Sequence, residues 1–239
     1  MLMKALIALL QFATILPLGK PRDIEHFARH SYLYPLAGYV IGGIIALLVY
    51  WIANRTIAAA VAVAGLLILS GCHHFDGLLD FGDAAMAQGD REKRIWALTD
   101  KQVGAGGVAL GIIITLILFA GLQASGSMIS AIIIGEVGAK FSMAFLTAAG
   151  TPFQEGIHSY LHRFSRPYFS ALAFVLCIPL ILLPVPLKKL AAALILMVLC
   201  PIILLVISKR LFGGINGDVA GASNEITRAM VILGMALIG

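Results

Sequence analysis

A chain of 239 residues that is 60% hydrophobic and only 12% charged cannot cover a water-facing surface of its size, because soluble domains carry about 25% charged residues. With a mean hydropathy of +0.98, it is expected to be an all-α, polytopic integral membrane protein forming a single domain over 1–239. The net charge of +5 suits an anionic membrane face or an anionic substrate, and the lack of a dense basic stripe interleaved with aromatics argues against nucleic acid as a partner.

A spanning helix needs about 20 apolar residues. Six stretches meet that in chain order: 33–53, 56–72, 103–123, 128–150, 168–187 and 190–207. Two weaker stretches, 1–18 and 224–239, are short or carry Gln11 and Arg228, so six to eight transmembrane helices are expected. Residues 1–18 begin like a signal peptide, with Lys4 and an apolar run. No small-residue cleavage site follows, but Pro17 and Lys20 do, and the segment reads as a retained membrane or interfacial helix. Glycines at 38, 42 and 43 and at 104, 106, 107 and 111 let helix backbones approach closely in lipid. Pro179, Pro184 and Pro201 predict kinks in the last two strong spans. Cys72, Cys177 and Cys200 form no CxxC and read as small buried hydrophobes. Eleven Lys and Arg residues fall in loops that alternate onto one side, against three on the other. That bias places the loop after 56–72 in the cytoplasm.

That loop reads CHHFDGLLDFGDAAMAQGDREKR, residues 72–94. Asp76, Asp80 and Asp83 are spaced i, i+4, i+7 and share one face of a helix, where like charges repel unless a cation lies among them. Oxygen donors at this density suit Mg²⁺, Mn²⁺ or Ca²⁺, the lack of a matching His/Cys set argues against zinc, and Mg²⁺ usually combines one or two carboxylates with substrate phosphates. The alternative is a solvated acidic loop. His73 and His74 just upstream read either as a general base or as interfacial packing. Arg91, Lys93 and Arg94 read either as a phosphate clamp or as a membrane anchor. Further on, Asp100 and Lys101 precede Gly104 and its neighbours at the start of 103–123, a place for phosphate on helix amides or for helix packing. Residues 209–225 surround Asn216, Gly217 and Asp218 with glycines and read as a second part of the site. Glu136 and Lys140, i, i+4 within 128–150, either neutralise each other or meet substrate. Glu155, His158 and His162 read as an interfacial turn and not as a metal site.

These residues resemble the adenosylcobinamide-GDP ribazoletransferase family, also called cobalamin (5′-phosphate) synthase. The resemblance is carried by FATILPL, YPLAGYVIGG (34–43), HFDGLLDFGDA (74–84), TDKQVGAGG (99–107) and GGINGDVAGA (213–222). Where the family reads Asp-Ser-Arg before the glycines, this chain has Asp100-Lys101-Gln102. The resemblance implies that an α-ribazole hydroxyl attacks the pyrophosphate of adenosylcobinamide-GDP and releases GMP. The acceptor is α-ribazole or its 5′-phosphate. On this reading Asp76, Asp80 and Asp83 hold Mg²⁺ (Mn²⁺ substituting). Asp100, Lys101, Gly104, Arg91, Arg94, Asn216, Gly217 and Asp218 contact phosphate or nucleotide, and His74 or an aspartate takes the proton. The setting implied is the cell membrane of a prokaryote, with the lipid bilayer as a partner and a homo-oligomer left open.

Two rival readings differ at named residues. A CDP-alcohol phosphotransferase continues DGxxAR, whereas Asp76-Gly77 is followed here by Leu78-Leu79-Asp80-Phe81. A divalent-cation transporter places its site near the midplane in paired repeats, and no second copy of the acidic stretch exists.

Overall fold

The structure, a computed structural model, describes residues 2–238 and is helical throughout, with no named strand among them. Two short N-terminal helices, α1 (Leu2–Ala13) and α2 (Glu25–Ala28), lead into α3 (Tyr34–Tyr50). Then follow α4 (Arg55–Leu69), α5 (His73–Met86), α6 (Arg91–Thr99), α7 (Ala105–Ala124) and α8 (Met128–Ala149). The rest comprises α9 (Ile157–Phe164), α10 (Phe169–Val175), α11 (Leu187–Leu211) and α12 (Gly217–Leu237). Four helices are long and apolar enough to cross a membrane alone: Ser31–Tyr50, Ala105–Ala124, Met128–Ala149 and Leu187–Leu211. The pairs α4–α5 and α9–α10 (the latter extended to Leu182) qualify only when each is taken as one span, and they are bent by 93° and 90°. Counting both gives six, the lower end of the expected range.

The first bend has a local cause. Gly71 and Cys72 adopt successive left-handed conformations, φ +61° and +58°, which end α4 and redirect the chain into α5. Only glycine visits that region without cost, so the non-glycine Cys72 is held there by the surrounding fold. The second bend leads to a stretch in which α10 gives way to a 3-10 segment, Ile178–Leu182, with Pro179 in its first turn. Pro201 sits inside α11, which continues through it.

α8 and α12 form the centre. α12 packs on α8, α5, α11 and α7, while α3 covers the other side of α8. Glycines make the closest approaches: a Cβ on Gly38 would lie 2.7 Å from the Val137 backbone, and one on Gly42 would lie 3.0 Å from that of Ile133. α12, whose Glu225 and Arg228 are buried, is not among the helices apolar enough to span alone. Its protein neighbours take the place of lipid, which is where intramembrane charge is tolerated.

The polar loops divide between two ends of the bundle. At one end Arg29 lies over the Phe164 ring at 4.8 Å, Arg91 lies against Gly213, and Pro152 pairs with Ile215. At the other, Arg55 donates to the Gln123 carbonyl at 2.5 Å, and Lys189 approaches Gly126. The first end carries the loops in which the sequence concentrates its basic residues.

Candidate active site

α5 forms as the i, i+4, i+7 spacing requires, and its two glycines are the surfaces it presents to its neighbours. A Cβ on Gly77 would lie 2.8 Å from the Asp218 carbonyl oxygen and 2.9 Å from its Cα, and one on Gly82 would lie 2.9 Å from the Gly106 oxygen. Gly77 therefore lets the first turn of α12 rest against α5, and Gly82 does the same for α7. The helix propensity lost at these positions, about 1 kcal/mol each, is offset by these approaches.

The result is a cavity of about 400 Å³ at the polar end, lined by Asp76, Asp80, Asp100, Lys101 and Asp218. Residues some 140 positions apart thus meet through one helix contact. Four carboxylates face a single lysine. Asp80 shows the electrostatic cost: burial, then repulsion from Asp218, Asp76, Asp83 and Asp100, pushes its carboxyl up to about 7. Burial also raises Asp218, with Asp76 adding repulsion, while the Asn216 amide donates to it at 2.7 Å and opposes the shift. Asn216 caps α12 as well, its Oδ1 accepting from the Val219 amide at 3.0 Å. Gly217, the first residue of α12, sits between these two functions.

Asp83 is placed differently from its two helix-mates. Its carboxylate accepts from the Gly104 amide at 2.6 Å and the Gly107 amide at 2.7 Å, anchoring the start of α7. A Cβ at either glycine would lie within 2.6 Å of an Asp83 carboxylate oxygen. The helix N-terminus read from sequence as a seat for phosphate is thus occupied by a side chain of the protein itself, with Gly104 and Asp83 as partners.

The cations separate in the same way. Arg94 donates to the Ala84 and Ala85 carbonyls at 3.2 and 2.9 Å, closing the C-terminal end of α5. Arg91 lies across Gly213, whose φ of +90° strains any other residue; a Cβ there would lie 3.1 Å from the guanidinium. Lys101 alone among them lines the acidic cavity. His74 is buried against Gly221 of α12, with no hydrogen-bond partner at Nδ1, and does not line the cavity. His158 and His162 bond the Gly150 and Thr147 carbonyls at 3.0 and 2.8 Å, holding α9 to the end of α8 as an interfacial turn.

Among the described residues no group of three His, Cys, Asp or Glu side chains is close enough to hold a metal ion by itself. The donor chemistry still fits Mg²⁺ better than a softer ion, since the acidic groups lining the cavity are carboxylates, with no His or Cys among its lining residues, and Mg²⁺ takes one or two carboxylates plus substrate phosphate oxygens.

Sequence reasoning missed one constellation. Glu136 and Lys140 do not stand alone: Arg228, Glu225 and Asn224 of α12 join them in a fully buried network. The i, i+3 pair Glu225 and Arg228 in the final apolar segment was the available signal, since a charge inside a span asks for a partner.

The family model described as cobalamin-5-phosphate synthase matches residues 5–236. Among curated relatives, the adenosylcobinamide-GDP ribazoletransferase of Halorubrum lacusprofundi is 34% identical, covering 97% of this chain and 96% of its own length. Its namesake in Archaeoglobus fulgidus is 33% identical over 100% and 99%. That of Deinococcus radiodurans is 34% identical over 96% and 84%. No solved structure matches the chain significantly. With matches of this identity running nearly end to end, the chain belongs to the cobalamin-5-phosphate synthase family.

Proposed function

We propose that this protein is the membrane transferase that joins adenosylcobinamide-GDP to α-ribazole, or to its 5′-phosphate, in the assembly of cobalamin. The observation that carries the chemistry is the convergence of Asp76, Asp80, Asp100 and Asp218 on one cavity with only Lys101 to balance them. A pyrophosphate arriving there adds further negative charge, so a divalent cation is needed between the two. One or two of Asp76, Asp80 and Asp218, the last from the far end of the chain, would hold Mg²⁺ together with phosphate oxygens of the substrate. Asp83 supports them by fixing α7. When bound, Mg²⁺ supplies neutralisation of the charge that develops on the phosphate oxygens.

The remaining work belongs to the chain. Lys101 positions the phosphate that the carboxylates alone would repel. Asn216 fixes the rotamer of Asp218 through its 2.7 Å bond. The acceptor hydroxyl oxygen forms the new bond to phosphorus as the bond to GMP breaks. Its proton passes to a carboxylate of the cavity, because His74 is buried beneath it. Arg91 and Arg94 hold the loop and helix that frame the site. The cavity faces the cytoplasm of a prokaryotic cell, a reading supported by the basic bias of the loops at the same end.

The test is direct. Purified protein in liposomes, given both substrates and Mg²⁺, should release GMP in a one-to-one ratio with the joined corrinoid. Folded protein that yields neither product across several lipid compositions overturns the proposal.

A further inference from the structure

We propose that the buried network of Glu136, Lys140, Asn224, Glu225 and Arg228 is a positioning device that sets the register of α12, and through it the place of Asp218 opposite Asp76 and Asp80. The inference rests on the proposed role of that cavity and concerns residues well away from it.

The contact that brings Asp218 to α5 is smooth. Residues 217–223 of α12 read GDVAGAS, and the approaches there are backbone against glycine: Gly77 on Asp218, and Gly221 on His74, where a Cβ would lie 3.2 Å from the His74 backbone. Small residues permit close approach but offer few knobs to stop a helix from sliding or turning. The face of α12 turned to α5 therefore needs contacts on its other faces to fix it along its axis. Ile215, just ahead of the helix, donates to the Thr151 carbonyl at 2.9 Å and holds the chain entering it, and Ser223 meets Ser142 of α8 at 3.1 Å; the charged, directional contacts come one to two turns deeper than Gly221. Arg228 bonds Glu136 through Nε and Glu225 through Nη1, the latter at 2.6 Å. Lys140 donates to Asn224 Oδ1 at 2.7 Å and lies 3.7 Å from Glu136, and Asn224 donates in turn to Glu225 at 3.0 Å.

Two acids and two bases make the set neutral, and every charged member is at most 3% exposed at its side chain. Burying charges with such partners adds little net stability compared with apolar packing, and their attested use is to select one register over others. Glu225 lies seven residues, two turns, beyond Asp218, on the same face of α12. A helix transmits that placement over about 10 Å. α8, the other half of the network, is itself seated tightly on α3 through Gly38 and Gly42. The frame that fixes Asp218 therefore runs α3, α8, α12.

The experiment compares a neutral double variant with wild type. Glu136→Leu with Arg228→Met removes one acid and one base, keeps the net charge, and leaves Lys140 and Glu225 linked only through Asn224. Expected results are a lowered unfolding temperature and, per folded molecule, kcat lower by about tenfold or more with both substrate KM values within about threefold. The Kd for Mn²⁺, read by electron paramagnetic resonance on the folded protein, should rise about fivefold or more as Asp218 leaves its place. Arg228→Lys, which keeps the charge, should fall between the two and serves as the readout if the double variant does not fold. Unchanged kcat and Mn²⁺ affinity in folded variants overturn the inference. So does a loss of activity that merely tracks the folded fraction. Wild-type protein that turns over without binding Mn²⁺ overturns the metal reading alone, and kcat of the variants then decides the inference.

Discussion

Gly77→Ala tests whether the α5–α12 contact serves catalysis more than stability. The added methyl would meet the Asp218 carbonyl oxygen at 2.8 Å and its Cα at 2.9 Å, both backbone atoms that no rotamer change can move. Restoring an ordinary contact of 3.4 Å displaces the first turn of α12 by about 0.6 Å. Overpacking of this kind costs about 1–3 kcal/mol, offset by about 1 kcal/mol of helix propensity gained by alanine. The net loss of stability is therefore small, about 0–2 kcal/mol. Activity is far more sensitive, since a misplacement approaching 1 Å can cost about a hundredfold. The expected result is an unfolding midpoint near wild type with GMP release slowed about 10–100-fold. A Gly77→Ala protein with wild-type kcat would refute the claim that this contact sets the geometry of the site.

Asp80→Asn is expected to abolish turnover while leaving membrane insertion intact, measured by GMP release and by extraction into detergent. Unchanged turnover removes Asp80 from the site. Asp83→Asn gives up one of two amide bonds to a charged acceptor and should lower stability by about 2 kcal/mol. Its half-saturating Mg²⁺ concentration should stay within about threefold of wild type, because its oxygens serve α7; loss of Mg²⁺ activation without loss of stability reverses that assignment. Because the Asp80 carboxyl is raised to about 7, it is protonated below that pH and ionised above it, and a proton competes with a divalent cation for it. The half-saturating Mg²⁺ concentration should therefore climb as pH falls from 7 to 6, by up to about tenfold. A flat profile contradicts the assignment.

Much of this was legible in the residues. The membrane class followed from charge content, the spans from apolar runs, and α5 from the i, i+4, i+7 spacing of Asp76, Asp80 and Asp83. The motifs at 74–84 and 213–222 marked the two segments that meet. Periodicity places residues on a face of their own helix, but it says nothing about which helix that face meets. So the division of labour within the acidic stretch stayed hidden: Asp83 reads like its helix-mates until α7 is in place and its amides claim the carboxylate. For the same reason nothing in the sequence marks Gly77 and Gly82 as the seats of α12 and α7. The bend between α4 and α5 was also invisible, because it depends on a left-handed Cys72, a residue type that gives no signal for such backbone. Arg228 looked like an interruption of an apolar run, although its partner Glu136 lies 92 positions earlier.

The most direct measurement of the central claim is anomalous scattering from crystals grown with Mn²⁺ and adenosylcobinamide-GDP. The account requires a peak in the cavity between α5 and the first turn of α12, about 2–2.3 Å from oxygens of Asp76, Asp80 or Asp218 and from the pyrophosphate. A cavity that binds the nucleotide with no metal peak, or a peak held elsewhere in the protein, would contradict it.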